Sequence, residues 1–183
     1  MAESEMNLSD TQIETKRLLL IPTEQDHAEL YLEEFAAQVT ELMYPKPPEN
    51  LNEVRRFIEE SRQGLETGTN LHMVILDKVT MEFLGCVGLH AIGSSRPEFG
   101  VWVKVSAHGN GFGYEAVQGL KKWADEHLEC EEYSYPVDIR NYASKRIAID
   151  LGGRIIGHRD VENMSGKILH LEIYTIFADR NSR

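Results

Sequence analysis

Around residue 108 the chain changes period. Before it, short runs rich in Val, Leu and Phe alternate with turn residues, as β-strands do; after it, Ala116, Val117, Leu120, Trp123, Ala124 and Leu128 mark one face of an amphipathic helix. The junction reads His108-Gly109-Asn110-Gly111-Phe112-Gly113. Three glycines between a strand and a helix let the backbone approach a ligand closely, while the free amides of the first helical turn point outward. The helix dipole adds to those amides, so such a terminus suits phosphate or pyrophosphate without a lysine. A tight strand-to-helix turn that needs glycines is the plainer explanation of the same residues.

The elements on either side follow from pattern. Residues 16–21 read as a strand stopped by Pro22. Thr23, with Asp26 three residues on, predicts the start of a helix over about 24–37. A second helix starts at Asn50, where Glu53 completes a capping-box spacing and Val54, Phe57, Ile58, Ser61 and Leu65 follow at helical intervals; Gly68 ends it. Residues 71–76, 83–90 and 97–105 read as three strands with short links, an antiparallel meander. The central helix from Gly111 comes next, then a strand over 133–139, a short helix over 141–151, and a hairpin of 154–161 with 167–177 around Asn163-Met164-Ser165-Gly166.

The order β-α-α-β-β-β-α-β-α-β-β predicts an α/β (α+β) fold. We expect one mixed, mostly antiparallel sheet flanked by helices, whose strand-helix-strand unit around the central helix is parallel and right-handed. At 183 residues one core suffices. The expectation is a single domain over residues 13–180, preceded by a flexible arm over residues 1–12.

Thirty acidic against 19 basic side chains give a net charge of −11, with no basic cluster, which disfavours nucleic-acid binding. An acidic surface attracts cationic substrates such as amines, although it also serves plain solubility. No apolar run approaches the roughly 18–20 residues of a membrane span, and the first residues do not resemble a secretory signal, so no membrane partner is expected and the cytoplasm is the default. Cys86 and Cys130 have no metal-like spacing, and no histidine pair has a ligand spacing, so no metal is implied. No Gly-x-x-x-x-Gly-Lys-Ser/Thr occurs, and a dinucleotide fingerprint counted from Gly109 would need its third glycine at Tyr114.

The loop resembles the Gln/Arg-x-x-Gly-x-Gly/Ala acetyl-CoA loop of the GCN5-related N-acetyltransferase (GNAT) superfamily, with His108 at the first position, where His can still donate a hydrogen bond. The likeness covers residues 14–177 and is greatest to the branch containing ribosomal-protein N-terminal acetyltransferases. Glu14-Thr15-Lys16-Arg17-Leu18-Leu19-Leu20 resembles that branch's opening strand, Tyr114-Glu115-Ala116 its central-helix start, and Asn141-Tyr142-Ala143-Ser144 with Leu151-Gly152-Gly153 its Asn-x-x-Ser and Leu-Gly-Phe segments.

The resemblance implies an acetyl-CoA-dependent N-acetyltransferase acting by direct attack of a primary amine, on a protein N-terminus or a small molecule; it leaves room for a homodimer. Such a reaction needs a neutral amine, oxyanion stabilisation and support for the departing thiolate. It implies cofactor contacts from the loop (His108, Gly109, Asn110, Gly111, Phe112, Gly113), an oxyanion amide near Trp102 or Val103, a pantetheine contact from Asn141, and Ser144 at the thioester sulfur. In place of the tyrosine that many members carry four residues beyond that serine stands Ala148. Arg146, or its neighbour Lys145, is placed to meet a nucleotide phosphate. Pro97-Glu98-Phe99-Gly100-Val101-Trp102 resembles the branch's Glu-x-Gly-Tyr-Trp strand and makes Glu98 the candidate base; His90 is a neighbour or the base itself.

Each residue also has a simpler reading. Asn141 can be an ordinary N-cap, Ser144 a first-turn serine, Glu98 an exposed strand-end carboxylate, and Lys145 with Arg146 a solvated face. Substrate choice is expected in residues 37–50, including Tyr44-Pro45-Lys46-Pro47-Pro48, and in the terminal hairpin. The alternative function is a non-catalytic acyl-CoA-binding module, to which His108 and Gly153 lend weight as departures from the family pattern. A nucleotide-dependent oxidoreductase ranks below both.

Overall fold

The computed structural model describes residues 6–179. Eight strands form one sheet in the order β1-β2-β3-β4-β5-β6-β8-β7. They are β1 (Ile13–Glu14), β2 (Leu18–Pro22), β3 (Leu71–Asp77), β4 (Phe83–His90), β5 (Glu98–Val103), β6 (Glu132–Asp138), β7 (Arg154–Glu162) and β8 (Ile168–Phe177). The helices are α1 (Ala28–Glu34), α2 (Ala37–Thr40), α3 (Leu51–Glu66), α4 (Phe112–His127) and α5 (Tyr142–Asp150). All neighbouring strands run antiparallel except β5 and β6, so the fold is the mixed, mostly antiparallel sheet with flanking helices expected from the pattern.

The two faces carry separate cores. On one, α4 and α5 cover Leu84, Val87, Leu89, Phe99, Tyr133, Tyr135 and Tyr174; on the other, α1 and α3 cover Val74, Leu76, Phe83, Cys86 and Trp102. Strand alternation accounts for the division, since neighbours such as Val101 and Trp102 point to opposite faces.

Local chemistry sets the helix ends. Asn50 Oδ1 accepts the Glu53 amide at 3.1 Å, as the capping-box spacing implied, and Gly68 leaves α3 at φ +68°. α5 ends on Gly152 at φ +77°, with Gly153 N–H donating to Ala148 O at 2.8 Å and Gly152 N–H to Ile149 O at 2.9 Å. This double closure is a Schellman motif. A Cβ on Gly153 would lie 2.6 Å from the Ala148 oxygen, which explains the glycine where the family pattern has Phe.

The structure adds β1 and α2 to the expected order and departs from the pattern elsewhere as well. Pro22 is the last residue of β2 rather than its stop. The helix expected over 24–37 is a 3-10 turn at Gln25–His27 followed by α1, which Phe35 ends at φ −83°, ψ 59°. Tyr31 and Phe35 bury one turn apart, their rings 5.3 and 4.8 Å from Trp102, and the chain leaves the helix as soon as that contact is made. Thr23 is not the cap either: Glu24 and His27 bond reciprocally there, while Thr23 Oγ1 lies 2.8 Å from buried His72 Nδ1. Of the N-terminal segment, residues 1–5 lie outside the described residues; Leu8 is 2% exposed and its N–H donates to Leu65 O. No helix among the described residues is long and apolar enough to cross a membrane.

Candidate active site

β5 and β6 pair at one position, Glu98↔Ser134, and then diverge. The register fixes what the gap exposes. Lys104 N–H donates to Leu84 O and Ser134 N–H to Pro97 O, so even-numbered residues of β5 turn their backbone to β4 and odd-numbered ones to β6. The amides of Val101 and Val103 therefore face the gap, and that of Trp102 does not. By the same parity the even residues of β6 face β5, so the donor that Pro136 lacks would have pointed into the gap. A proline in the middle of a central strand is tolerated here because the sheet opens on that side.

A cavity of about 630 Å³ occupies this opening. β5 supplies Val101, Trp102 and Val103; the loop and α4 supply His108, Gly109, Gly111, Phe112, Gly113 and Tyr114; α5 supplies Asn141, Ser144, Arg146 and Ile147; and the segment after α1 supplies Gln38, Val39, Leu42 and Met43. Of the residues singled out in the sequence, the wall thus gathers Trp102, Val103, His108, Gly109, Gly111, Phe112, Gly113, Asn141, Ser144 and Arg146. Asn110 and Glu98 stand outside it.

The glycines of the loop do different jobs. Gly109 and Gly111 sit in the left-handed region, at φ +78° and +75°, and Gly111 caps α4. Gly113 has a packing role: a Cβ there would lie 3.2 Å from Ile147 Cδ1 and 3.6 Å from Val103 Cγ2, so its absence lets α4 approach β5 and α5. His108 turns inward, with Nε2 2.7 Å from the Val103 carbonyl oxygen. Asn110 Nδ2 donates to the carbonyls of Ala107 and His108, holding the loop shape from behind.

Arg17 braces the loop from β2's approach. Its Nη1 donates to Asn110 O at 2.9 Å, its Nε to Glu115 Oε2 at 2.6 Å, and its guanidinium lies 4.6 Å from the centre of the Phe112 ring. Glu115 Oε1 also accepts from Thr15 Oγ1 and from the Arg17 N–H, both at 2.7 Å. Although burial opposes its charge most, these donors together hold Glu115 below the usual carboxylate range. The two stretches that resembled family segments, 14–20 and 114–116, are thus bonded to each other across the sheet edge.

On α5, Asn141 Oδ1 accepts the Ser144 N–H at 3.1 Å, so Asn141 is the N-cap and its carbonyl oxygen is committed to that bond. Ser144 Oγ lies 2.8 Å from the hydroxyl of Tyr135, a buried residue of β6 that the sequence reading did not single out. Arg146, 75% exposed at its side chain, pairs with Asp150 at 2.8 Å; Lys145 is taken up by Glu172 at 2.9 Å.

Glu98 opens β5 on the face opposite α4, directly across β4 from His90. Burial pushes its carboxyl above the ordinary carboxylate range, and Arg159 on β7 opposes that rise. The His90 ring lies over Gly88 and Gly100, its Nε2 3.1 and 3.6 Å from where their Cβ atoms would be, and burial lowers its pKa. The missing side chains of the two glycines make room for that ring. Asn163 Nδ2 donates to Met43 O and Met164 N–H to Tyr44 O, so the β7–β8 turn is tied to the segment after α1. These are the two regions in which substrate choice was expected.

A sheet that opens between its two parallel neighbours, with a glycine-capped helix start at one end of the gap and a serine in its wall, defines an acyltransferase of the GNAT type. The family model for the acetyltransferase (GNAT) domain matches residues 17–154, and the chain belongs to that family of enzymes. Among solved structures it is similar to the Salmonella typhimurium acetyl transferase that modifies the N-terminal serine of 50S ribosomal subunit protein L7/L12 (16% identity, TM-score 0.81, covering 92% of this chain and 100% of that one). It is also similar to the ribosomal L7/L12 alpha-N-protein acetyltransferase RimL in complex with coenzyme A (17%, 0.81, 93% and 99%). A third is the microcin C7 self immunity acetyltransferase MccE in complex with acetyl-CoA and AMP (18%, 0.80, 96% and 99%). At these identities the likeness is one of fold. No curated protein matches the sequence.

Proposed function

We propose that the protein transfers an acetyl group from acetyl-CoA to a primary amine, a protein N-terminus or a small molecule, by direct attack on the thioester. The observation that carries this reading is the cavity itself. Its wall brings together the left-handed glycines at the start of α4, the free backbone edge of β5 and Ser144, groups suited to a pyrophosphate, a pantetheine arm and a thioester.

The residues fit that donor. Outward amides at Gly111 and Gly113 suit a pyrophosphate, with Arg146 within reach of a nucleotide phosphate. The edge of β5 offers amide hydrogen bonds to the pantetheine. The Val103 amide, which faces the gap, supports the developing oxyanion. Asn141 acts through the helix cap that fixes Ser144, and Ser144 donates a hydrogen bond to the leaving sulfur. Glu98 serves as base at one remove, through a relaying water, because it does not reach the cavity wall. Its raised pKa brings it nearer to the basicity the task needs.

Resemblance to the ribosomal-protein branch favours a protein N-terminus over a small amine. The test is calorimetric titration with CoA, followed by thiol-release assays with acetyl-CoA and a panel of N-terminal peptides, polyamines and amino acids. Micromolar CoA binding with turnover on at least one amine is expected. Binding without turnover on any of them would select the non-catalytic module instead, and failure to bind CoA would end both readings.

A further inference from the structure

We propose that Tyr135 is a positioning residue for the leaving thiolate: its hydroxyl donates to Ser144 Oγ and thereby aims the serine proton into the cavity. The proposal rests on the reading of Ser144 given above.

The geometry is specific. Tyr135 lies mid-strand in β6, 2% exposed, on the face covered by α4 and α5. Its hydroxyl is 2.8 Å from Ser144 Oγ. Ser144 is only half-buried and forms part of the cavity wall. The serine amide is already used by Asn141, so the hydroxyl is the serine's remaining donor.

Two hydroxyls at this distance share one proton, and burial decides which gives it. If Ser144 donated, the phenol proton would be left in the core without an acceptor, the costlier arrangement. If Tyr135 donates, its proton is satisfied and the serine proton is free to turn towards the cavity. Burial keeps the phenol in its donating form, its pKa pushed up to about 12 against the opposing effect of the Ser144 contact. A serine that accepts one hydrogen bond is also a better donor of the next.

In the reaction the amine nitrogen bonds to the acetyl carbon. When the adduct collapses the carbon–sulfur bond breaks, its electron pair stays on sulfur, and the surplus amine proton leaves to the base. A thiolate is then left beside Ser144. The serine hydroxyl, oriented by Tyr135, donates a hydrogen bond to it without giving up its proton. Ala148, one turn beyond Ser144, is fully buried and offers no hydroxyl, and Tyr142 at the start of the helix is 78% exposed, so the phenol that meets Ser144 comes from the strand below.

The test needs no acceptor amine, because the thiol of bound CoA reports the same interaction. Its thiolate fraction is followed by ultraviolet absorbance against pH in the complex, beside CoA affinity by calorimetry. Glu41, His108, Tyr114, Arg146 and Asp150 also line this cavity, and Lys145, paired with Glu172, follows Ser144 on α5; the variants leave them all in place. In the wild-type protein the bound thiol should titrate about one unit below free CoA, as expected for a hydrogen bond to the charged form. Ser144→Ala should abolish that shift and Tyr135→Phe should remove about half of it. Ser144→Thr, which keeps the hydroxyl, should retain it.

If CoA does not bind, the donor assignment fails. A shift unchanged in Ser144→Ala rejects the serine's role and with it this proposal. A shift lost in Ser144→Ala but intact in Tyr135→Phe rejects Tyr135 alone. Should Tyr135→Phe not fold, uniform 3-fluorotyrosine labelling of the wild-type chain replaces it: a more acidic phenol must deepen the shift, and no change overturns the proposal.

Discussion

His108 Nε2 lies 2.7 Å from the carbonyl oxygen of Val103. A carbonyl only accepts, so Nε2 carries the proton and this ring, at the first position of the glycine loop, ties the loop to the edge strand of the gap. His108→Gln keeps a donor of similar reach and should hold CoA affinity within about threefold. His108→Ala unties the loop and should weaken CoA by about five- to tenfold, about 1–1.4 kcal/mol. Isothermal titration of the two variants checks this; equal affinities for Gln and Ala would mean that the contact does not shape the site.

Gly111 is the position where backbone conformation matters most to the loop. At φ +75° a β-branched residue is strained even though Arg17 Nη2, at 3.6 Å, leaves room for a Cβ. We expect Gly111→Val to lower CoA affinity more than tenfold while far-ultraviolet circular dichroism stays that of the wild type. Wild-type affinity would remove the loop from the donor site.

Glu98 provides a kinetic handle. Burial raises its carboxyl pKa, so kcat/KM should fall on the acid side with a midpoint above the ordinary carboxylate range. Glu98→Gln should cost about 10²–10⁴ in turnover and abolish that limb, the range for loss of a general base. A pH profile of Glu98→Gln that overlays the wild-type one would assign the proton to another group.

Glu115 gathers three donors from the turn before β2, with its side chain 14% exposed. Removing it leaves the Arg17 amide and guanidinium without that acceptor. Glu115→Ala should therefore cost about 1–3 kcal/mol in urea unfolding and weaken CoA in parallel, since Arg17 also holds Asn110. A loss of stability with CoA affinity untouched would show that the brace stops short of the loop.

His72 sets a pH limit on the fold. Burial lowers its pKa from 6.5 to about 3 in the folded chain. The unfolded chain then binds a proton near pH 6.5 that the folded one refuses, so stability is fully present above pH 6.5 and is lost as pH falls towards 3. This group contributes a slope of about 1.4 kcal/mol per pH unit inside that window. His72→Gln should flatten the urea-midpoint profile between pH 4 and about 6.5 relative to wild type; an identical slope would mean that His72 is protonated in the native state.

The parts legible in the sequence were those written in local chemistry. The Asn50–Glu53 cap, the glycines before α4, the Asn163 turn and the meander each depend on residues within a few positions of one another, and the structure places each where the pattern put it. Long-range selection erased the rest. Continuing α1 past Phe35 would have been unremarkable locally; the end is set by burial of Tyr31 and Phe35 against Trp102 on a strand far along the chain. The two residues of β1 are too few for any period to register. Tyr135 looked like one more apolar strand position because its partner sits on the next helix. Lys121 belongs with these: it was unmarked on the helix pattern, yet it is buried with Asp125 at 2.6 Å, and Asp125 in turn accepts the Tyr133 hydroxyl at 2.9 Å.

Pro136 has a consequence for how the molecule resists its own sheet. Two parallel strands that start in register after Glu98↔Ser134 would ordinarily zip together, and every rung gained would close the space a donor must enter. A missing N–H at the next facing position removes the first rung of that zipper. The facing edge of β5 therefore stays unzipped, and on the function proposed above it is the pantetheine arm whose amides take up the hydrogen bonds that the protein withholds from itself.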